Sequence, residues 1–385
     1  MGGLGAIWLL GAPTFAGTYT TGVAHYEAGE LADAHRDFSQ IDEGDVRYMQ
    51  ARYLDGVIYA RQGRLKSAVL CFREVIEAAE DMVLAAEEEA LVDELVGNAL
   101  LAIAGTYYSI QRFDEATTYT LLVQEHMPSW SRAQRMAAWA TFLSNDLDAS
   151  YAHLDALDDQ ATPERKRQRL AKKGRYDEIS WPAWAPERHE LRYLLAYNEG
   201  CYLRAEQALE PLATYQAVFD TPFDLDAPPS DLHGALAQEV LRDRELQALR
   251  RHGTPDQIAA RTAEVLDDYQ GELHELLEAA QVNLYEAVDA RSFGDDACDP
   301  PTPAEQDELF LRAIGLSEDL LASEILPGDD QGTLMLRLAA DLEHRNSEGD
   351  AERAQVLMEG FLAEHPDHWL RDDLSREETA PAGSP

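Results

Sequence analysis

Small and apolar residues recur at a fixed distance along the first part of this 385-residue chain. Two consecutive rows of thirty-four residues share five identities, namely Gly22 with Gly56, Gly29 with Gly63, Leu31 with Leu65, Ala34 with Ala68 and Phe38 with Phe72. A period of this length is typical of helix pairs that stack side by side, because one pair cannot bury its apolar face alone. The pattern therefore predicts an all-α solenoid.

The pattern continues over three further repeats, with drift and one interruption. A third repeat occupies residues 97–130, a fourth follows it in step, and a fifth begins at about residue 186. The matching positions are Ala104, Tyr107, Phe113, Ala116 and Pro128 in the third repeat, Ala138, Leu147, Ser150 and Leu154 in the fourth, and Tyr197, Gly200, Tyr202, Ala205 and Leu209 in the fifth. The return of the motif after the interruption supports one continuous array.

The motif resembles the tetratricopeptide repeat (TPR), which places a large residue, Leu-Gly, Tyr, Ala, Phe and Pro at fixed offsets. Gly56, Tyr59, Ala68 and Phe72 stand at four of those places. The resemblance implies a right-handed superhelix of helix pairs in which small residues let the two helices approach closely. Gly63 is expected to end a first helix, since glycine adopts the left-handed conformation without strain.

Periodicity and composition together divide the chain into segments. The expected segments are an apolar N-terminus (1–16), TPR-like repeats one to four (17–158), a basic and Trp-Pro insertion (159–186), repeat five (187–218), a linker (219–230), a long helical hairpin (231–292), a helical region ending in a TPR-like pair (303–366) and a disordered tail (375–385). The hairpin is expected to hold one helix over 231–250 and a long second helix that opens at Pro255. Capping boxes at Thr254 with Gln257 and at Thr302 with Glu305 mark helix starts.

The first sixteen residues are apolar, but their run from Leu4 to Leu10 is shorter than the roughly twenty residues that span a bilayer. The stretch resembles the core and cleavage end of a secretory signal, although the first Lys or Arg of the chain is Arg36. The alternative is an apolar start to the first helix. The sequence predicts no transmembrane span and leaves a periplasmic or envelope location and a cytoplasmic one open, with a slight preference for the periplasm.

Acidic residues outnumber basic residues by 72 to 32, which gives a formal charge of −40 at pH 7. Such a surface repels nucleic acids and anionic membranes, so neither is an expected partner. One basic cluster departs from this balance and comprises Arg165, Lys166, Arg167, Arg169, Lys172 and Lys173. It is a candidate site for anionic ligands, and the alternative is a loop that lies on the protein's own acidic surface.

The sequence contains no recognisable catalytic motif: a phosphate-binding loop, a serine elbow and a zinc-protease His-Glu-x-x-His are all absent. The acidic loop 293–302 lacks the ligand order of a calcium-binding loop. Cys71, Cys201 and Cys298 are too few and too far apart to predict a disulfide framework or a zinc site, so the redox compartment stays undecided. The chain is therefore predicted to be a non-enzyme without a metal or cofactor.

In tetratricopeptide repeats the first helix of each pair lines the concave face, and the resemblance thereby implies a set of partner-binding residues. These are Tyr19, Tyr26, Tyr53, Arg61, Asn98, Tyr108, Arg132, Arg135, Trp139, Phe142 and Tyr197. Tyr, Trp and Arg are enriched in binding hot spots, and the arginines favour an extended or helical peptide of acidic character. The alternative is that the aromatic side chains pack between neighbouring helices.

The sequence thus favours a scaffold that binds a protein or peptide partner through the concave face of the repeat array. The rival hypothesis is structural. In it the long helix over 254–292 drives self-association, and the homo-oligomer is a component of a bacterial envelope assembly.

Overall fold

A computed structural model describes residues 16–43, 45, 47–80, 86–159, 184–227, 231–323, 325–326, 328–345 and 350–364. Every regular element in these ranges is helical, which confirms the predicted all-α class. The α-helices are α1 (Ala16–Glu27), α2 (Leu31–Phe38), α3 (Tyr48–Arg61), α4 (Leu65–Glu80), α5 (Ala86–Ser109), α6 (Phe113–Thr120), α7 (Trp130–Leu143), α8 (Leu147–Asp159), α9 (Glu187–Asn198), α10 (Tyr202–Leu209), α11 (Leu212–Gln216), α12 (Leu232–Val240), α13 (Arg244–His252), α14 (Pro255–Ser292), α15 (Pro303–Ser323), α16 (Gly328–Arg345) and α17 (Asp350–Glu364). A short 3₁₀ helix, Ala217–Asp220, follows α11.

The chain divides into two compact units. Unit 1 comprises residues 1–191 and 214–271, and unit 2 comprises residues 192–213 and 272–385. Within unit 1, α1 packs on α2, α3 on α4, α5 on α6 and α7 on α8, while α4 also packs on α5 and α6 on α7. Within unit 2, α16 packs on α15 and α17, and α9, α10 and the end of α14 share a core that includes Tyr193, Ala205 and Ala287. The predicted architecture of stacked helix pairs is therefore confirmed.

The turn inside each of the first five helix pairs contains a residue with a positive φ. These residues are Gly29 (77°), Gly63 (71°), Gln111 (59°), Asn145 (64°) and Gly200 (72°). At the second turn, the backbone N–H of Arg64 donates to the carbonyl of Tyr59 at 2.9 Å, which satisfies one of the carbonyls left open at the end of α3. The prediction that Gly63 ends the first helix is confirmed, and Gln111 and Asn145 serve the same purpose in pairs three and four.

A small residue five positions after each of these turn residues is completely buried. The five residues are Ala34, Ala68, Ala116, Ser150 and Ala205, each with 0% of its surface exposed. The second helix of each of these five pairs therefore presents a small side chain at this buried position. This shared position explains why the repeat register survives although most other residues differ.

In the first two pairs a glycine on the first helix faces a phenylalanine on the second. A Cβ atom added at Gly56 would lie 2.5 Å from Cε1 of Phe72, and one added at Gly22 would lie 2.7 Å from Cε1 of Phe38. Both phenylalanines are buried, so their rings have little room to move. The equivalent positions of the fourth pair hold Ala138, which is larger than glycine, and Leu154, which is smaller than phenylalanine.

The helix starts in the second half of the chain follow their capping residues. The backbone N–H of Thr254 donates to Oε1 of Gln257 at 2.8 Å, and that of Thr302 donates to Oε2 of Glu305 at 2.8 Å, so both predicted capping boxes are confirmed. The prediction of one helix over 231–250 is wrong. Two helices, α12 and α13, occupy this stretch, because Asp243 accepts a hydrogen bond from the N–H of Leu246 at 2.7 Å and starts a new helix.

One helical segment of the described chain, Glu89–Ser109 within α5, has the length and composition of a membrane span, with a mean hydropathy of 1.2. About half of it is buried inside the protein, at 50%. Leu95, Ala99 and Ile103 of this segment belong to the hydrophobic core that α3 and α4 also form. A core helix of a helical protein passes the same test of length and composition, and the packing of α5 explains its apolar character.

Candidate functional site

Four of the predicted partner-binding residues form a stripe along α7. Arg132, Arg135, Trp139 and Phe142 are separated by three, four and three positions, which places them on one face of the helix. All four are partly exposed, whereas the alanines on the other side of α7 are buried. The rings of Trp139 and Phe142 meet edge to face with their centroids 6.0 Å apart. The stripe therefore joins a cationic part to an aromatic part.

Arg132 is held by a buried polar group from the preceding repeat. Its Nη1 donates to Oδ1 of Asn98 at 3.3 Å, and the same oxygen accepts from Oγ of Ser129 at 3.2 Å. Asn98 and Ser129 are 8% and 3% exposed. This arrangement orients the guanidinium without neutralising it, because an amide oxygen carries no net charge.

Further charges from distant parts of unit 1 act on Arg132. Burial lowers the pKa of its guanidinium, and the positive charges of Arg242 and Arg135 lower it further, while the carboxylate of Glu239 acts in the opposite direction without outweighing them. The neighbouring Arg135 forms an ion pair with Glu187. Burial acts to lower the pKa of Arg135, but the carboxylates of Glu187 and Glu239 outweigh it and the pKa is raised.

Arg242 in turn binds Glu239, since its Nη1 lies 2.8 Å and 2.7 Å from the two carboxylate oxygens. The group formed by Asn98, Arg132, Arg135, Glu187, Glu239 and Arg242 is called the Arg132 cluster below. It holds three guanidinium groups and two carboxylates. Within the described part of the chain, no carboxylate lies at ion-pair distance from Arg132. The cluster thus carries a local positive charge in a chain whose formal charge is −40.

The remaining predicted residues of unit 1 make intramolecular aromatic contacts. Tyr53 is 7% exposed and packs on Phe72, with ring centroids 5.4 Å apart. The guanidinium carbon of Arg61 lies 5.0 Å from the ring centre of Tyr26, which is itself buried. Burial raises the pKa of Tyr19 to about 12, and the ring of Tyr19 packs 6.0 Å from that of Phe38.

Tyr108 packs edge to face on Phe113, with ring centroids 5.4 Å apart. Tyr197 belongs to unit 2 and is partly buried between Tyr193 and Tyr202, at ring distances of 5.4 Å and 5.0 Å. These tyrosines support the packing of their helix pairs whether or not they also contact a partner.

The structure adds little on two other candidate sites, the basic cluster for anionic ligands and a metal site. The basic cluster of Arg165, Lys166, Arg167, Arg169, Lys172 and Lys173 lies outside the described residues. Where the structure describes the chain, no group of three or more His, Cys, Asp or Glu is placed to hold a metal ion. Cys71 is 2% exposed, as expected for a core residue, and burial raises the pKa of its thiol to about 11.

Sequence reasoning missed Glu187, Glu239 and Arg242, which complete the Arg132 cluster. Arg242 is more than one hundred positions from Arg132, and nothing in the local pattern links the two residues. The stretch Leu-Arg-Asp-Arg-Glu at 241–245 gives one local indication that a helix starts here, because Asp243 is a residue type that caps helices. It does not indicate that the preceding Arg242 lies near Arg132.

Comparison with known proteins gives matches among solved structures. No protein-family model matches the sequence, and no curated protein matches it either. Among solved structures, the crystal structure of the P58(IPK) TPR domain is similar at 15% identity and a TM-score of 0.24, covering 90% of this chain and 98% of that one. A structure of Naa15/Naa10 bound to HypK-THB is similar at 11% identity and a TM-score of 0.22, covering 92% of this chain and 64% of that one. With TM-scores this low, the fold described above rests on the helix pairs themselves.

Proposed function

We propose that this chain is a scaffold that binds a protein or peptide partner through the Arg132 cluster and the aromatic end of the α7 stripe. The observation that supports the proposal is the state of Arg132, a partly buried cation that is oriented by Asn98 and has no carboxylate at ion-pair distance among the described residues. A partly buried cation without an ion-pair partner is costly, and a carboxylate from a binding partner would reduce that cost. The partner segment is therefore acidic at the position that meets Arg132.

Trp139 and Phe142 extend this surface along α7 and suit an apolar side chain of the same partner. Aromatic and arginine side chains carry much of the binding energy in protein interfaces, where they fill well-packed pockets from which water is excluded. A segment with an acidic residue followed by an apolar residue would contact both parts of the stripe. No catalytic role is assigned to these residues.

The high negative charge of the chain does not prevent an acidic segment from binding. At physiological ionic strength charges are screened over about 8 Å, so the nearest charges dominate. A partner carboxylate bound at Arg132 therefore interacts mainly with the nearby guanidinium groups of the cluster. Distant acidic residues on the surface reduce the rate of approach more than the stability of the bound state.

A peptide library tests this proposal. The full chain is incubated with peptides that each carry an acidic and an apolar residue, and with the same peptides in which Glu and Asp are replaced by Gln and Asn. The expected result is retention of acidic peptides that is lost on the amide replacement and lost again in Arg132→Gln. Arg36→Gln on α2, an exposed arginine paired with Asp33, is the matched control and should retain the peptides.

In the rival proposal, α14 mediates self-association, and the resulting homo-oligomer is a component of an envelope assembly. Three apolar residues of α14 are buried within the protomer and are not free to contact a second copy, since Val265 is 7%, Leu273 is 1% and Ala287 is 0% exposed. Light scattering of the purified chain distinguishes the two proposals. A monomer at micromolar concentration supports the scaffold, whereas a stable oligomer that is disrupted by charged substitutions on the exposed face of α14 supports the structural role.

A further inference from the structure

The loop after α14 supplies a cap to a helix that lacks its own. Helix α10 begins after Cys201, whose side chain makes no capping hydrogen bond. The first N–H groups of a helix need acceptors from outside it. Asp296, which follows more than ninety positions later, provides one, because its Oδ2 accepts from the N–H of Leu203 at 2.7 Å.

Several contacts hold this loop, residues 293–299, in place. The N–H of Ala297 donates to the carbonyl of Gly200 at 2.8 Å. Asp296 is 3% exposed, and its Oδ1 accepts from the N–H groups of Cys298 at 3.0 Å and Asp299 at 2.9 Å. These bonds fold the loop around the Asp296 carboxylate and point that carboxylate at the start of α10.

The sulfur atoms of Cys201 and Cys298 are bonded, with Cα atoms 5.0 Å apart and a sequence separation of 97 residues. The expectation that the three cysteines form no disulfide is wrong for this pair. The spacing rules apply to cysteines that are close in sequence, and here the fold brings distant ones together. The bond joins the N-cap residue of α10 directly to the loop that carries its capping group.

Charged residues on the flanking helices complete the arrangement. Nη1 of Arg291 lies 3.3 Å from Oε2 of Glu206 on α10, and Nε of Arg291 lies 3.4 Å from Oδ2 of Asp296. Glu206 also pairs with Arg312 on α15. The two ion pairs of Glu206 include no residue of the loop 293–299. The disulfide is the only covalent link between the loop and α10 among the described residues.

We propose that the Cys201–Cys298 disulfide is a redox-dependent clamp that holds Asp296 in place as the cap of α10. The clamp forms when the two thiols give up two protons and two electrons to the disulfide of an exchange partner, which leaves as two thiols. A dithiol reductant reverses the step and leaves Cys201 and Cys298 as thiols. Reduction frees the loop to detach, so that α10 loses its cap and frays at its N-terminus.

The placement of the three cysteines suits this role. Cys298 lies on the exposed loop and is accessible to an exchange partner. Cys71 is buried and its thiol pKa is raised, so it forms little thiolate and does not compete in the exchange. An oxidising compartment keeps the clamp closed, because structural disulfides persist there and are reduced in the cytosol.

Two measurements on the full wild-type chain test the clamp. In the first, native protein purified without reductant is alkylated and mapped by mass spectrometry. The expected result is a cross-linked pair of peptides containing Cys201 and Cys298, with Cys71 labelled only after denaturation. Native labelling of Cys201 or Cys298 would overturn the proposal.

In the second measurement, hydrogen exchange of the same protein is compared with and without a dithiol reductant. The amides at the start of α10 and in the loop should exchange about tenfold faster after reduction, while those of α3 and α4 should not change. Cys71→Ser should respond like wild type, and Cys298→Ser should exchange fast in both conditions. Equal protection of α10 in oxidised and reduced wild type would show that the disulfide does not hold the cap.

Discussion

At the scale of single residues, the repeat motif reflects steric constraints between two helices. Gly56 and Phe72 occupy the contact between α3 and α4, where the ring fills the space that a side chain on α3 would need. The same relation holds for Gly22 and Phe38 in the first pair. The identities that align the first two rows are therefore consequences of one packing solution that is used twice.

Replacing Gly56 by Ala should destabilise unit 1 by about 1–3 kcal/mol, since the new methyl group overpacks a buried contact. The companion change Phe72→Leu should relieve most of this cost, because a smaller side chain then faces the added methyl group. Urea denaturation of the two single variants and the double variant measures the effect. The double variant should be more stable than the sum of the single effects predicts, and simple additivity would contradict the packing account.

The turn residues show which helix ends can be predicted from the type of a single residue. The glycines at positions 29, 63 and 200 could be predicted as helix ends, because glycine favours a positive φ. Asn145 adopts the same conformation, which asparagine tolerates better than most residues. Gln111 adopts it without a matching residue type, and it could be identified only from the repeat register, since the buried small residue lies five positions later in each of the five pairs.

At the scale of helices, Asp243 decides where one helix stops and another starts. Its carboxylate accepts from the N–H of Leu246 and forms two hydrogen bonds with Arg261 of α14, at 3.0 Å and 2.8 Å. The sequence 231–250 has enough helix-forming residues to suggest a single helix. The tertiary contact with Arg261, which no local pattern reveals, adds to the local capping bond at this position.

Asp243→Asn should lower stability at neutral pH by about 1 kcal/mol, since it weakens a charge-assisted pair but can still cap α13. The hydrogen bond from Arg261 lowers the pKa of Asp243 in the folded protein. Its contribution is therefore present above the unfolded-state value of about 3.9 and is lost as the pH falls through the lower folded value. Thermal melts of wild type and variant should differ at pH 7 and converge in acid.

Asp231 provides the matched control for that experiment. It caps α12 by accepting from the N–H of Gly234 at 2.9 Å, and it has no arginine partner among the described residues. Asp231→Asn should therefore change stability little at any pH. A specific role for the Asp243–Arg261 pair would be contradicted if both variants lost the same stability. It would also be contradicted if the difference in melting temperature between wild type and Asp243→Asn did not decrease in acid.

Gly271 lies in the middle of α14 and has no structural need for glycine. A Cβ atom added there meets nothing within 4 Å. Gly271→Ala should stabilise the protein by about 0.5–1 kcal/mol, because alanine loses less conformational freedom in a helix. Gly294, with a φ of 82°, is the contrasting case, and Gly294→Ala should be destabilising. Both changes can be measured by chemical denaturation, and the same sign for both would contradict the account.

At the scale of the whole molecule, the formal charge of −40 should make stability depend on salt. Like charges repel one another in the compact state, and salt shortens the range of that repulsion from about 30 Å at 10 mM to about 3 Å at 1 M. The melting temperature should rise over this range at pH 7. The rise should be smaller near the isoelectric point of about 4.4, where the net charge is close to zero. A falling melting temperature at pH 7 would contradict this expectation.

The candidate site also belongs to this scale, and this explains why the sequence predicted only part of it. Arg132, Arg135, Trp139 and Phe142 could be placed on one face because they share a helix and its period. Glu187, Glu239 and Arg242 come from helices much later in the chain, so the charge balance around Arg132 becomes visible only in the folded unit. The helix pairs are predictable because their sequence pattern repeats. The contacts that complete the site occur once in the molecule, so no repeated pattern predicts them.

The most direct test of the proposed function is a binding titration with an acidic peptide selected from the library described above. Fluorescence anisotropy compares wild type, Arg132→Gln and the control Arg36→Gln, each confirmed to be folded by circular dichroism. We predict that Arg132→Gln binds at least about tenfold more weakly, that Arg36→Gln binds like wild type, and that neutralising the peptide's acidic residue costs wild type more than it costs Arg132→Gln. Equal affinity of wild type and Arg132→Gln would contradict the assignment of Arg132 as the partner's carboxylate site.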